Sequence, residues 1–174
     1  MIKRTLLICA GLMLLSGLAL AEEVTVKMHA TTDKGPGEAV GTILVTDTPY
    51  GALFTPQLNG LSAGVHGFHV HANGQCGPAL KEGKTVPGLA AGGHFDPSGT
   101  GRHDGPYGDG HVGDLPPLYV DADGRSSVPV LAPRLKVADI RYRGLMVHAG
   151  GDNFSDQPDK LGGGGARMVC GVVR

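Results

Sequence analysis

The sequence predicts an all-β protein, an antiparallel sandwich or flattened barrel of about eight short strands, and three observations predict it. Apolar and polar residues alternate with period two in several short runs, and turn-forming residues separate those runs. With 30 glycines, 12 prolines and no tryptophan, the chain is also too rich in helix breakers for a helical bundle. In the first run Val24, Val26 and Met28 oppose Thr25, Lys27 and His29, so the two sets must point to opposite faces of a strand. The same pattern returns at 41–46, and further strands are predicted at 52–57, 64–71, 118–121, 127–131, 144–148 and 166–173. Asp121-Ala122-Asp123-Gly124, between two of these, reads as a hairpin turn. One helical turn is predicted at 135–140.

Two segments, 72–117 and 149–165, lack strand patterning. Loops beyond about 12–15 residues are uncommon in compact domains and are usually functional or disordered. The first contains Cys76, His94, His103, His111 and Asp114, so it carries its own means of cross-linking.

The chain opens on an export signal. Lys3 and Arg4 form a positive region, Leu6 to Leu20 an apolar one, and Ala19-Leu20-Ala21 a small-x-small cleavage pattern. The apolar run is shorter than the roughly 18–20 residues that span a bilayer, and a polar chain follows it. The expected domains are therefore 1–21, a signal peptide removed after Ala21, and 22–174, a single mature domain with no membrane contact after cleavage. Lipidation at Cys9 is the alternative, disfavoured by the bulky Ile8 before it. The formal charge of −1 becomes −3 once Lys3 and Arg4 are removed, which excludes the basic surplus that nucleic-acid binding needs. Cys76 and Cys170 are then the remaining cysteines of an oxidising compartment, and a disulfide between them is expected.

All eight histidines lie in the mature chain. His69 and His71 are separated by one residue on a predicted strand, so both rings project from one face and can grip one ion. That pair alone is a weak signal, because packed or surface histidines show the same spacing. His94, His103, His111 and Asp114 strengthen it: three imidazoles and a carboxylate within one glycine-rich loop make a closed tetrahedral shell of the sort zinc accepts. Imidazole also suits copper, so ligand type alone does not assign the metals. His148, on another predicted strand, offers a further ring to the His69/His71 pair. The residues thus predict two adjacent metal sites, one of histidines and one with a carboxylate.

Gly64-Val65-His66-Gly67-Phe68-His69-Val70-His71 and Gly162-Gly163-Gly164-Gly165-Ala166-Arg167-Met168-Val169-Cys170-Gly171 resemble the two signatures of the Cu,Zn superoxide dismutases. Ala91-Gly92-Gly93-His94-Phe95-Asp96-Pro97 and Gly113-Asp114-Leu115-Pro116 are similar to that family's zinc loop. The run Gly150-Gly151-Asp152-Asn153-Phe154-Ser155-Asp156 is similar to the periplasmic bacterial branch. The resemblance covers essentially the whole mature chain and implies a Greek-key sandwich with two long functional loops.

It also implies one copper and one zinc ion per subunit. Copper would be held by His69, His71, His94 and His148, and zinc by His94, His103, His111 and Asp114, with His94 bridging. Asp152 would accept hydrogen bonds from His69 and His103, and the Cys76–Cys170 disulfide would tie the first loop to the last strand. Arg167 would hold the superoxide anion beside copper, and Lys81 and Lys84 are candidates for steering it there. The implied activity is superoxide dismutation in the periplasm, by a monomer or a homodimer. His29 is expected on an exposed face and His66 in a structural hydrogen-bonding role.

Two rivals start from the same residues. A cupin-type oxygenase would need a glutamate where Gln75 stands. A copper carrier or an inactive relative would be expected to lack a ligand or the arginine, and this chain keeps all of them.

Overall fold

The computed structural model describes residues 21–174, so residues 1–20 of the expected signal peptide, Cys9 among them, lie outside the described residues. The strands are β1 (Glu23–Thr32), β2 (Gly35–Thr48), β3 (Gly51–Leu58), β4 (Gly64–His66), β5 (Phe68–His71), β6 (Ala79–Lys81), β7 (Lys84–Val86), β8 (Leu118–Val120), β9 (Val130–Ala132), β10 (Gly144–His148) and β11 (Arg167–Val172). A single turn of helix, α1 (Val137–Ile140), precedes β10. Seven strands form one antiparallel sheet in the order β5-β10-β11-β1-β2-β3-β9, while β4 pairs with β8 and β6 with β7.

The sheet curls on itself. Phe68 on β5 and Phe54 on β3 stand near opposite ends of that order, yet their rings meet edge to face with centroids 5.4 Å apart. Both are fully buried, each burial contributing about 1.5–3 kcal/mol. The enclosed core takes the alternate residues of each strand: Val24, Val26 and Met28 from β1, Ile43 and Val45 from β2, Phe68 and Val70 from β5, Leu145 and Val147 from β10. Glu23, Thr25 and Lys27 stand exposed between the β1 members, as the period-two reading requires. Gly41 lies at the bulge where the β1–β2 register shifts, with φ 133°, and a Cβ there would run into the Gln57 carbonyl of β3.

Four expectations need correction. The stretch 64–71 is two strands, because the chain breaks at Gly67, whose N–H donates to Gly150 O at 2.8 Å. β4 then leaves for β8 while β5 joins β10. The Asp121–Gly124 turn does form, with Gly124 N–H donating to Asp121 O at 3.1 Å, but it joins no hairpin, since β8 pairs with β4 and β9 with β3. The strand expected at 127–131 begins only at Val130. Finally, the first long loop holds the β6–β7 hairpin, whose turn at Glu82 and Gly83 has both φ values positive, 52° and 75°. Three-residue strands are too short to display an alternation.

Candidate metal centre

β5 presents its two faces to different surroundings: Phe68 and Val70 enter the core, while His69 and His71 project outward and are buried nonetheless. What covers them is the first long loop, which doubles back along the free edge of β5. Val70 N–H donates to Gly113 O at 2.9 Å, Phe95 N–H to Val70 O at 2.8 Å, and Ala72 N–H to Gly93 O at 2.9 Å. An edge strand needs such partners for its backbone groups. Here the pairing also sets His94 opposite His71 and Asp114 opposite His69. His148, the last residue of β10, completes the cluster from the other side of β5.

The ring nitrogens divide into an outer and an inner set. His69 Nε2 is 2.8 Å from Asp152 Oδ2, His103 Nε2 is 2.7 Å from Asp152 Oδ1, and His71 Nδ1 donates to Gly92 O at 2.8 Å. His148 Nδ1 faces Gly165 O at 3.3 Å. With the protons held on those outer atoms, the inner ones are bare lone pairs. His69 Nδ1 is buried without a hydrogen-bond partner, His103 Nδ1 and His111 Nδ1 face the Asp114 carboxylate at 3.0 and 3.4 Å, and His71 Nε2 faces His148 Nε2 at 3.3 Å. His94 Nδ1 lies 2.8 Å from Asp114 Oδ1, which leaves its Nε2 for the other group. Lone pairs collected in this way repel one another unless a cation lies among them, so the residues fit metal ions.

Two such groups bring their donor atoms within 4.8 Å of one another, His69/His71/His94/His148 and His69/His94/His103/Asp114. They share His69 and His94, whose rings stack with centroids 3.9 Å apart. His111 stands at the edge of the second group, its Nδ1 3.4 Å from Asp114 Oδ1. His69 has a single inward nitrogen to give, and the β5 pair needs it. With His69 spent there, His111 is the nearest further imidazole to His94, His103 and Asp114.

Charge in the cluster is set by burial and by two carboxylates. Burial, with the neighbouring His94, pushes His69 down to about 3, and burial with the same ring and Arg167 pushes His148 down to about 4. His71 and His94 are lowered too, chiefly by burial. Burial also opposes a charge on His103, but Asp114 and Asp152 outweigh it and raise the ring to about 9. Both carboxyls lie well below their ordinary range, because the hydrogen bonds of His103 with its neighbours overcome burial.

The metal-stripped protein should therefore be most stable near pH 6.5. Below that value an unfolded chain takes up protons that native His69, His71, His94 and His148 refuse, so stability falls as pH drops toward 4. Above it the His103 contribution, complete below 6.5, is lost as pH rises through about 9. One ring acts on the alkaline side, whereas four rings and the Asp114 and Asp152 carboxyls act on the acid side, so the acid limb is steeper. Urea denaturation of chelator-treated protein from pH 4 to 9 checks this, and stability that rises toward acid would contradict it.

Above the cluster lies a cleft of about 280 Å³ with His71, His94 and His148 in its lining. Three cations line it, Lys81, Lys160 and Arg167, and no carboxylate does. Arg167 is half-buried, its Nη1 donating to Gly88 O at 3.0 Å and its Nη2 to Gly92 O at 2.6 Å. Gly92 O also accepts the hydrogen bond from His71 Nδ1–H, so one carbonyl ties arginine and ring together. Lys84 sits across the hairpin from Lys81 and does not line the cleft. Lys160, which does, went unread because it stands in a proline- and glycine-rich tract with no pattern. Cys76 and Cys170 form the expected disulfide. His66 is buried with its ring nitrogens 2.8 Å from His148 O and Ser62 O. His29, expected on the surface, is half-buried, its Nδ1 3.2 Å from Gly37 O, because the bulge after Met28 turns it toward β2.

Fold and site together define a class: an all-β metalloprotein whose two adjoining metal-binding groups share histidines, under a cationic cleft. A family model described as copper/zinc superoxide dismutase matches residues 39–173. The superoxide dismutase (Cu-Zn) of Brucella abortus is 52% identical over 171 residues, covering 98% of this chain and 99% of that one. The solved Cu/Zn superoxide dismutase from Brucella abortus superposes with a TM-score of 0.87 at 55% identity, covering 88% of this chain and all of that one (100%). The monomeric copper, zinc superoxide dismutase from Salmonella enterica does so with a TM-score of 0.80 at 51% identity, with coverage of 88% and 100%. The chain belongs to the copper/zinc superoxide dismutase family.

Proposed function

We propose that this chain dismutes superoxide, converting two superoxide anions and two protons into O₂ and H₂O₂, with copper held by His69, His71, His94 and His148 and zinc by His94, His103, His111 and Asp114. Bound there, copper supplies reversible one-electron transfer and zinc a fixed, redox-silent charge. The observation that carries the reading is the partition of ring nitrogens, outer atoms committed to carboxylates and carbonyls, inner atoms bare and convergent.

The chain's own groups do the rest. Arg167 offers a charged fork to an anion entering the cleft, anchored on the carbonyl that also orients His71. His94 Nε2, at the floor of the cleft, is the atom positioned to carry one of the two protons. Asp152 keeps the His69 and His103 protons on the outside, so both rings meet the metals as neutral ligands. All of these groups come from one polypeptide, so the site is complete in a monomer and in each half of a homodimer. The signal-like residues 1–21 support export to the periplasm, and no helix among the described residues is long and apolar enough to cross a membrane.

The test is superoxide decay followed by pulse radiolysis with copper- and zinc-loaded protein. Catalysis that cyanide abolishes is expected, and none in fully loaded protein would overturn the proposal. Lys81→Gln and Lys160→Gln should each slow the reaction at low ionic strength and flatten its salt dependence, because each removes a cation from a cleft in a chain of net negative charge. Unchanged kinetics at low salt would remove that lysine from the steering field. Lys84→Gln, outside the cleft, should have the smallest effect of the three.

A further inference from the structure

We propose that Arg134, a residue of neither long loop, is the positioning residue of the zinc site, clamping the turn that delivers His103 and His111. The proposal rests on the zinc assignment made above.

Between Arg102 and His111 the loop folds into a turn closed by His111 N–H donating to Arg102 O at 2.9 Å. This stretch contains Gly105, Gly108, Gly110 and Pro106 and has neither strand nor helix, so its carbonyls lack the partners that regular structure supplies. Four of them converge on one guanidinium. Arg134 Nε donates to Pro106 O at 3.1 Å and Nη1 to Gly110 O at 3.1 Å. Nη2 donates to Gly105 O at 3.1 Å and to His111 O at 2.5 Å. Four of the five guanidinium N–H donors are thus spent on main-chain atoms within one turn.

No carboxylate forms an ion pair with Arg134 among the described residues, so its work here is geometric. Its base is fixed, since the adjoining Leu135 lies in the hydrophobic core. A rigid path therefore runs from the core through the guanidinium to the carbonyl of His111. The other ligand of the turn, His103, is held at the main chain by Asp156, whose Oδ2 accepts from His103 N–H at 2.9 Å. Three histidines of the other group, His69, His71 and His148, stand on strands and need no such device, and the fourth, His94, is paired against His71 of β5.

This asymmetry makes the inference testable. Removing the clamp leaves a glycine-rich turn that must be ordered anew each time zinc binds, while the strand-borne histidines stay in place. Arg134→Gln and Arg134→Lys should each weaken zinc binding about 10–100-fold, the range typical for residues that orient metal ligands, and release zinc correspondingly faster than wild type. The lysine variant should fail as well, because a point charge cannot span four carbonyls. Zinc and copper release from the fully loaded protein would be followed with chromophoric chelators, together with amide hydrogen exchange across 102–114. Faster zinc release, copper release within twofold of wild type and faster exchange confined to the turn are the expected results. Unchanged zinc release in both variants, rescue by lysine, or equal acceleration of both metals would overturn the clamp. Wild-type protein that holds no stoichiometric zinc would overturn the zinc assignment itself.

Discussion

Asp152→Asn is expected to lower zinc affinity by roughly 10–100-fold and to loosen copper in the same variant. The carboxylate is fully buried and bridges the two groups, Oδ2 lying 2.8 Å from His69 Nε2 and Oδ1 2.7 Å from His103 Nε2. Oδ1 also accepts from Phe154 N–H at 2.8 Å. An ionised carboxylate accepts on both oxygens, whereas an amide accepts on one side and donates on the other. Whichever way the asparagine turns, one imidazole N–H meets an NH₂ group. That ring must then move or shift its proton to Nδ1, the atom that faces the metal. Nearby Gly162 cannot yield space, since a Cβ at its position would already collide with Asp152 and the His103 ring. Competition titration with chelators measures both affinities, and values within threefold of wild type would show that the bridge does not set the tautomers.

Replacing both cysteines, Cys76→Ala with Cys170→Ala, should cost the largest share of stability. The bond spans 94 residues, for which chain entropy gives about 4–5 kcal/mol. For a domain of this size that corresponds to a fall in melting temperature of roughly 10–15 °C. Activity should fall with it, because Cys76 anchors the loop whose Gly88 and Gly92 carbonyls hold Arg167, and Cys170 lies three residues beyond that arginine on β11. The disulfide, Ala91 and Met146 form a small buried cluster of their own beneath this contact. Calorimetry of the metal-loaded variant provides the test, and a melting temperature within about 3 °C of wild type would contradict the entropic argument.

Much of this was legible in the residues because the chemistry demands it locally. His69 and His71 share a face by the period of a strand, and Val24, Val26 and Met28 mark the opposite kind of face by the same rule. The histidines of the first loop announced metal sites because little else there could order so many glycines. What escaped depends on long-range pairing. The Asp121–Gly124 turn looks like any hairpin turn from within, and only the partners of β8 and β9 show that the chain parts there. Arg134 carries no local signature, since its partners lie 23 to 29 residues away. Lys160 and Lys84 are equivalent as sequence, and the cleft alone distinguishes them.

The central claim is that one imidazole, His94, stands between two different metals. Anomalous X-ray diffraction from crystals of the copper- and zinc-loaded protein, recorded at both absorption edges, tests it directly. A copper peak should lie beside His94 Nε2 among His69 Nδ1, His71 Nε2 and His148 Nε2, and a zinc peak beside His94 Nδ1 with His103, His111 and Asp114. A single peak, or two peaks of which either lies away from the His94 ring, would contradict it.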